Sequence, residues 1–207
     1  MIKTTVVGSY PVPLWLRVTS TRESLRDAIL AIIKTQELAG IDVVADGELY
    51  RWNVNHAETN GMIDYFVKPM GGVQAELTTD QLEVWRAKEG NQFRAQPPGI
   101  VTGPLTTGRL NLLADYELYR DLTSRPKKFT VTSPYMLART LLDNHYDSLD
   151  ELTLAIAHVM AEQVSELPCS CVQVDEANIP GSPENAPLAA EAINRILDQV
   201  QVERSEE

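Results

Sequence analysis

Cys171-Val172-Gln173-Val174-Asp175-Glu176 joins a short β-branched run to two consecutive carboxylates. Such a run predicts a β-strand, and a carboxylate that directly follows a buried strand needs a cation, a hydrogen-bond donor or water. Four other short β-branched runs also end in small, polar or acidic residues: Thr4 to Gly8, Asp42 to Asp46, Gly99 to Gly103, and Lys128 to Ser133. Their nearly continuous apolar character favours parallel strands that are covered on both faces.

Helices are predicted between these strands. Ser20-Thr21-Arg22-Glu23 and Ser148-Leu149-Asp150-Glu151 each have the pattern of a capping box before an apolar stripe. Pro187 begins a third helix, which leads toward a further strand, and a fourth helix is expected near Asp80 to Lys88. The alternation of strands and helices predicts a parallel sheet, either as a barrel or as an open doubly wound sheet, and periodicity does not choose between them.

The composition is that of a globular protein, with 43% hydrophobic and 23% charged residues among 207. The sequence has 29 acidic and 18 basic side chains, which give a net charge of −11. This negative charge disfavours nucleic acid and anionic membranes as partners. No signal peptide or membrane-spanning run is evident, which predicts a cytoplasmic protein. Cys169 and Cys171 are too close in sequence for an ordinary disulfide and are expected to pack rather than to bind a metal.

Polar residues follow the predicted strands, at the end of the sheet where ligands bind in both candidate architectures. Gly8-Ser9 would let the backbone approach a ligand. Glu48 and Asp175 would form a pocket for a cationic ammonium, whereas a salt bridge to Arg51 is the structural alternative for Glu48. His56 is the histidine placed nearest to this site, and it is a weak candidate for a general acid or base.

Four signatures occur in order along the chain: Val7-Gly8-Ser9-Tyr10-Pro11, Val44-Ala45-Asp46-Gly47-Glu48 with Arg51, Thr102-Gly103-Pro104, and Val172-Gln173-Val174-Asp175-Glu176. Together they resemble the catalytic barrel of the cobalamin-independent methionine synthase family. The resemblance implies the N-terminal portion of a TIM (β/α)8 barrel, with about five β/α units present. The chain would then be a single incomplete barrel domain, residues 1–207, with a long insertion at 47–98 after the second strand. A complete open sheet of five strands is the competing architecture.

The resemblance implies methyl transfer to homocysteine or a similar thiol, which zinc activates as a thiolate. Val7, Gly8 and Ser9 would hold the carboxylate of the amino acid, and Glu48 and Asp175 its ammonium, with Glu176 in the same substrate site. The family's zinc ligands, a His and a Cys followed by a Glu and a second Cys, have no counterpart in this chain. No catalytic residue and no metal ligand is therefore assigned, and no cobalamin is expected.

The methyl donor stays open between a folate and a methyl-donor protein. Folate is disfavoured, because the position of the family's folate-stacking Trp falls near Leu110 when Thr102-Gly103-Pro104 is used for the match. Three alternatives stand beside the methyltransferase. They are a relative that adds thiols to epoxides, a non-catalytic fragment whose strand edges pair with another chain or copy, and a complete five-stranded enzyme of another type.

Overall fold

The computed structural model describes residues 2–53, 60–87, 96–169 and 171–200, and the backbone of 203–206. Its helices are α1 (Leu14–Val18), α2 (Arg22–Leu38), α3 (Asp64–Val67), α4 (Thr79–Arg86), α5 (Leu112–Tyr116), α6 (Pro134–Thr140), α7 (Leu149–Ser165) and α8 (Ala186–Leu197). Its strands are β1 (Val44–Ala45), β2 (Gly71–Gln74), β3 (Ile100–Thr106), β4 (Lys127–Thr132), β5 (Leu142–Asp143), β6 (Cys171–Asp175) and β7 (Glu203–Glu206).

The main sheet has the order β1-β4-β6-β7, and every neighbouring pair in it is parallel. A parallel bridge from Thr5 to Val43 places the N-terminal segment beside β1. The register sets Ala45 opposite Lys128 and Thr132 opposite Asp175. Because the strands are parallel and in register, their carboxyl ends lie at one edge of the sheet, which confirms the α/β class.

A second sheet has the order β2-β3-β5, in which β3 pairs antiparallel with β2 and parallel with β5. The prediction that Gly99 to Gly103 is the third strand of the parallel sheet is therefore wrong, and β4 takes that place. The run from Gly99 to Gly103 and the run that forms β4 have similar local sequences. Which strand each one pairs with depends on residues far away in the chain. In the main sheet, the strand beside β1 is β4, which begins at Lys127. The segment between these two strands is therefore longer than the expected insertion at 47–98.

The apolar face of the main sheet packs against the helices in one large core. Phe129 and Val131 of β4 and Val172 and Val174 of β6 alternate with polar residues, and all four are buried in this core. A small separate cluster of Trp85, Ile100 and Leu142 fixes α4 against the second sheet. In the described part of the chain, no helix has both the length and the apolarity that spanning a bilayer requires.

The helix starts follow local capping chemistry. Thr21 rather than Ser20 caps α2, because its hydroxyl accepts a hydrogen bond from the backbone N–H of Ser24. Ser148 caps α7 as predicted, accepting from the N–H of Glu151 at 3.2 Å. Pro187 lies in the first turn of α8, and that helix leads to β7, as its sequence indicates.

Candidate functional site

The carboxyl edge of the main sheet brings together the residues that follow β1, β4 and β6. Asp46, Gly47 and Glu48 follow β1, and Asp175 is the last residue of β6. The N-terminal loop joins them, because the N–H of Tyr10 donates to the carbonyl of Gly47 at 3.0 Å. The fold thus places segments that are distant in sequence at one edge, which we call the rim.

The turn at Gly47 and Glu48 has an unusual backbone conformation. Both residues are left-handed, with φ of +74° and +59°, and Glu48 is the only described non-glycine residue with positive φ. The Asp46 carboxylate accepts from the N–H of Glu48 at 2.7 Å and so supports the turn. A Cβ at position 47 would lie 2.9 Å from both Ile32 Cδ1 and Tyr10 Cβ. Glycine is required here for both reasons, and such strain is often found at functional sites.

Glu48 forms a buried salt bridge with Arg51. Arg51 Nη1 donates to Glu48 Oε2 at 2.8 Å, and the two side chains are only 3% and 7% exposed. Arg51 Nη2 donates to the carbonyl of Thr130 in β4. The salt bridge that the sequence offered as the structural alternative is thus present, and it fixes the Glu48 carboxylate at the rim.

An aromatic and acidic cluster surrounds Arg51 on the helix side of the sheet. The guanidinium lies over the rings of Phe66 and Tyr65, at 4.9 and 5.3 Å from their centroids. Tyr65 donates its hydroxyl proton to Asp115 at 2.6 Å. Burial raises the pKa of Tyr65 well above its usual value, and it does the same for Tyr50 and Tyr119. We call Tyr50, Tyr65 and Tyr119 the tyrosine cluster.

Two carboxyls at the rim, those of Glu48 and Asp46, are harder to ionise than free ones. Burial raises the pKa of Glu48, the neighbouring carboxylates of Asp46 and Asp175 add to this, and Arg51 opposes it. Burial likewise raises the pKa of Asp46, against the opposing effect of Arg51. The charge of Asp175 acts on Glu48 across the carboxyl end of β4, which lies between the strands that carry the two residues.

A chain of hydrogen bonds crosses the polar face of the sheet and ends at Asp175. Lys128 Nζ donates to the carbonyl of Val6 and to Gln173 Oε1, and Gln173 Nε2 donates to Asp175 Oδ1 at 2.5 Å. Lys128 and Gln173 are fully buried, whereas Asp175 is partly exposed. The chain therefore fixes one oxygen of Asp175 and links it to the N-terminal segment.

The other predicted site residues differ in their surroundings. Val7, Gly8 and Ser9 are exposed, and Gly8 has a φ of +83° with open space around it. Glu176 accepts from the N–H of Asn178 at 2.6 Å through Oε1, while its buried Oε2 has no hydrogen-bond partner among the described residues. Asp175 and Glu48 are thus held firmly, and the Val7 to Ser9 loop is open to solvent.

Two buried hydroxyls at the rim were not among the predicted site residues. Thr132 and Ser133 are 1% and 0% exposed, and neither hydroxyl has a hydrogen-bond partner within the part of the chain that the structure describes. Their sequence signal is the polar Thr132-Ser133-Pro134 end of a predicted strand. It resembles an ordinary helix cap, although Ser133 makes no side-chain cap to α6.

The described residues do not supply a zinc site. No three His, Cys, Asp or Glu side chains within the described ranges lie close enough to hold a metal ion. Neither Cys169 nor Cys171 is in a disulfide, and burial raises the pKa of Cys169 to about 11, which disfavours the thiolate that binds zinc. His158 pairs with Glu162 on the exposed face of α7, and His56 lies outside the described residues.

The family follows from a match over nearly the whole chain. Residues 2–201 match the family described as "Cobalamin-independent synthase, Catalytic domain". The chain belongs to this family.

Relatives and solved structures agree with this assignment. The chain is 28% identical to methionine synthase of Thermococcus kodakarensis and 26% identical to that of Sulfolobus acidocaldarius, over 98% of its own length. It covers only 60% and 59% of those relatives. Its fold is similar to a B12-independent methionine synthase from Shewanella sp. W3-18-1 in complex with selenomethionine, with a TM-score of 0.74 and 22% identity over 98% of this chain and 60% of that one. The relatives are methyltransferases, and this chain spans about three fifths of their length.

Proposed function

We propose that the chain forms the amino-acid-binding part of a methionine-synthase-type methyltransferase, which transfers a methyl group to the thiol of homocysteine. The observation that carries this proposal is that Glu48 and Asp175 lie at the carboxyl ends of β1 and β6, on either side of β4 in one parallel sheet. An ammonium between them would reduce the mutual repulsion that helps to raise the pKa of Glu48. The family match over residues 2–201 supports the substrate class.

The architecture in this proposal is the N-terminal portion of a (β/α)8 barrel, formed by residues 1–207 as one incomplete domain. The N-terminal segment, β1, β4, β6 and β7 would be its first five strands. The parallel order and the common rim support this arrangement, because barrel enzymes bind their substrates at the carboxyl ends of the strands. The second sheet, β2-β3-β5, would be an insertion between the second and third units.

The rim residues would bind and orient the substrate. Asp175 Oδ1 is engaged by Gln173, which leaves Oδ2 to accept from the ammonium, while Arg51 holds the Glu48 carboxylate in place. Val7, Gly8 and Ser9 would receive the substrate carboxylate on the exposed side, because glycine lets the backbone N–H groups approach an anion. The described residues do not supply ligands for zinc, so the roles of these side chains are binding and orientation.

Calorimetric titration of the 207-residue chain with L-homocysteine tests this proposal. Asp175→Asn retains the acceptor for Gln173 but removes the charge, so we expect affinity to fall about tenfold or more with little change in melting temperature. Asp143→Asn is the matched control, because Asp143 ends a strand of the second sheet and caps a turn through the N–H groups of His145 and Tyr146. Equal losses of affinity and stability in Asp175→Asn, or no binding by the unaltered chain, would refute the proposal.

One set of exposed residues supports a second candidate, association with another polypeptide. Four apolar side chains of the N-terminal segment and α1, which follow the Thr5–Val43 bridge in sequence, are 47% to 87% exposed: Val7, Leu14, Trp15 and Val18. A sheet edge beside exposed apolar residues is suited to pairing. Light scattering on the purified chain would distinguish a monomer from an assembly, and a change of Trp15 to Ser should weaken any assembly that uses this edge.

A further inference from the structure

Thr132 carries a buried hydroxyl that no described residue satisfies. Its side chain is 1% exposed, and its Oγ1 makes no hydrogen bond within the part of the chain that the structure describes. Burying a hydroxyl without a partner costs free energy that a valine of the same shape would avoid. An external partner would remove this cost, and Thr132 differs from the equally unsatisfied Thr153 of α7 in lying at the rim, where a substrate would bind.

The sheet register places this hydroxyl next to Asp175. Thr132 is the register partner of Asp175, and the N–H of Ser133 donates to the carbonyl of Asp175 at 2.9 Å. Side chains alternate along a strand, so Thr132 shares a face with Lys128, four residues earlier. Lys128 contacts Gln173, which in turn contacts Asp175 on the same face of β6. The orphan hydroxyl and the Asp175 carboxylate therefore lie on one face at the rim.

An ammonium group has three N–H donors and needs three acceptors when it is removed from water. Glu48 and Asp175 supply two of them in the proposed function. We infer that Thr132 Oγ1 is the third acceptor, and that Thr132 is a binding residue for the ammonium of the amino-acid substrate. This inference rests on the proposed function, and it supplies a partner for a hydroxyl that is otherwise unsatisfied among the described residues.

Three variants separate binding from structure. Thr132→Val removes the hydroxyl and keeps the shape, whereas Thr132→Ser keeps the hydroxyl. Thr153→Val is the matched control, since Thr153 in α7 is also fully buried and its hydroxyl also has no partner among the described residues. Both valine variants should melt at or slightly above the temperature of the unaltered chain, because each loses an unsatisfied polar group.

Calorimetry with two probes then isolates the ammonium contact. L-homocysteine carries the ammonium, and 4-sulfanylbutanoate is the same molecule without it. Thr132→Val should weaken L-homocysteine binding about tenfold and leave 4-sulfanylbutanoate unchanged, while Thr132→Ser and Thr153→Val bind both probes as the unaltered chain does.

The outcomes that contradict the inference are distinct from those that contradict the proposed function. If Asp175→Asn weakens L-homocysteine binding but Thr132→Val does not, the inference alone is wrong. An equal loss for both probes, or a fall in melting temperature that accounts for the lost affinity, also overturns it in favour of a packing role. If the unaltered chain binds no L-homocysteine, both the proposed function and the inference fail.

Discussion

The Glu48 carboxylate lies 2.8 Å from Nη1 of Arg51, and both side chains are almost completely buried. Arg51 also donates to the carbonyl of Thr130, so the pair ties the turn after β1 to β4. A buried ion pair gains little over an apolar pair, but the loss of one partner leaves an uncompensated charge. The fold therefore depends on this pair remaining intact.

Arg51→Ala should reduce the free energy of unfolding by about 3–5 kcal/mol, because it leaves the Glu48 carboxylate buried without its cation. Urea denaturation measures this loss. Arg195→Ala is the control, since its pair with Glu191 is about half exposed and should contribute at most about 1 kcal/mol. Equal small losses in the two variants would show that the pair at the rim is as well hydrated as the surface pair.

Gly47→Ala should destabilise the chain more than Gly8→Ala. Both glycines have positive φ, so both variants strain the backbone by about 1–2 kcal/mol. At position 47 the added Cβ also meets Ile32 and Tyr10 at 2.9 Å, whereas at position 8 it meets nothing within 4 Å. The difference between the melting temperatures of Gly47→Ala and Gly8→Ala measures how closely the turn is packed. Equal melting temperatures would mean that Ile32 and Tyr10 move aside without cost.

Asp46→Asn should change the pH dependence of stability. Burial raises the pKa of Asp46, so the folded state binds its proton more tightly than the unfolded state does, and this contribution is lost as the pH rises above the ordinary value of 3.8. Asparagine keeps an acceptor for the N–H of Glu48 but does not titrate. The unaltered chain should therefore lose stability relative to the variant over the range above about pH 4. Urea denaturation across this range provides the measurement, and a difference of the opposite sign would mean that Arg51 outweighs burial.

Local sequence patterns predicted the strands that carry the site. The runs that end at Asp46, Ser133 and Asp175 are strands of one parallel sheet, because each combines β-branched residues with a polar end. The same local criteria wrongly placed Gly99 to Gly103 in that sheet. The strand formed by this run, β3, pairs with β2 and β5. Those pairings depend on residues that are distant in sequence, so a local pattern does not predict them.

The site itself was predictable in its charges but not in its hydrogen bonding. The positions of Glu48 and Asp175 after buried strands indicated that they lie near each other, and Arg51 was identifiable as a partner because it lies three residues after Glu48. The hydroxyl of Thr132 could not be found in this way. Whether a threonine is satisfied depends on every group around it, and that is known only once the sheets and helices are packed.

The tyrosine cluster gives the chain a built-in optical reporter of alkaline denaturation. Burial keeps the phenols of Tyr50, Tyr65 and Tyr119 protonated well beyond the pH at which a free tyrosine ionises. Phenolate forms at these positions only when the packing around the three rings opens, so an abrupt rise of ultraviolet absorbance in strong base would mark the unfolding of the chain.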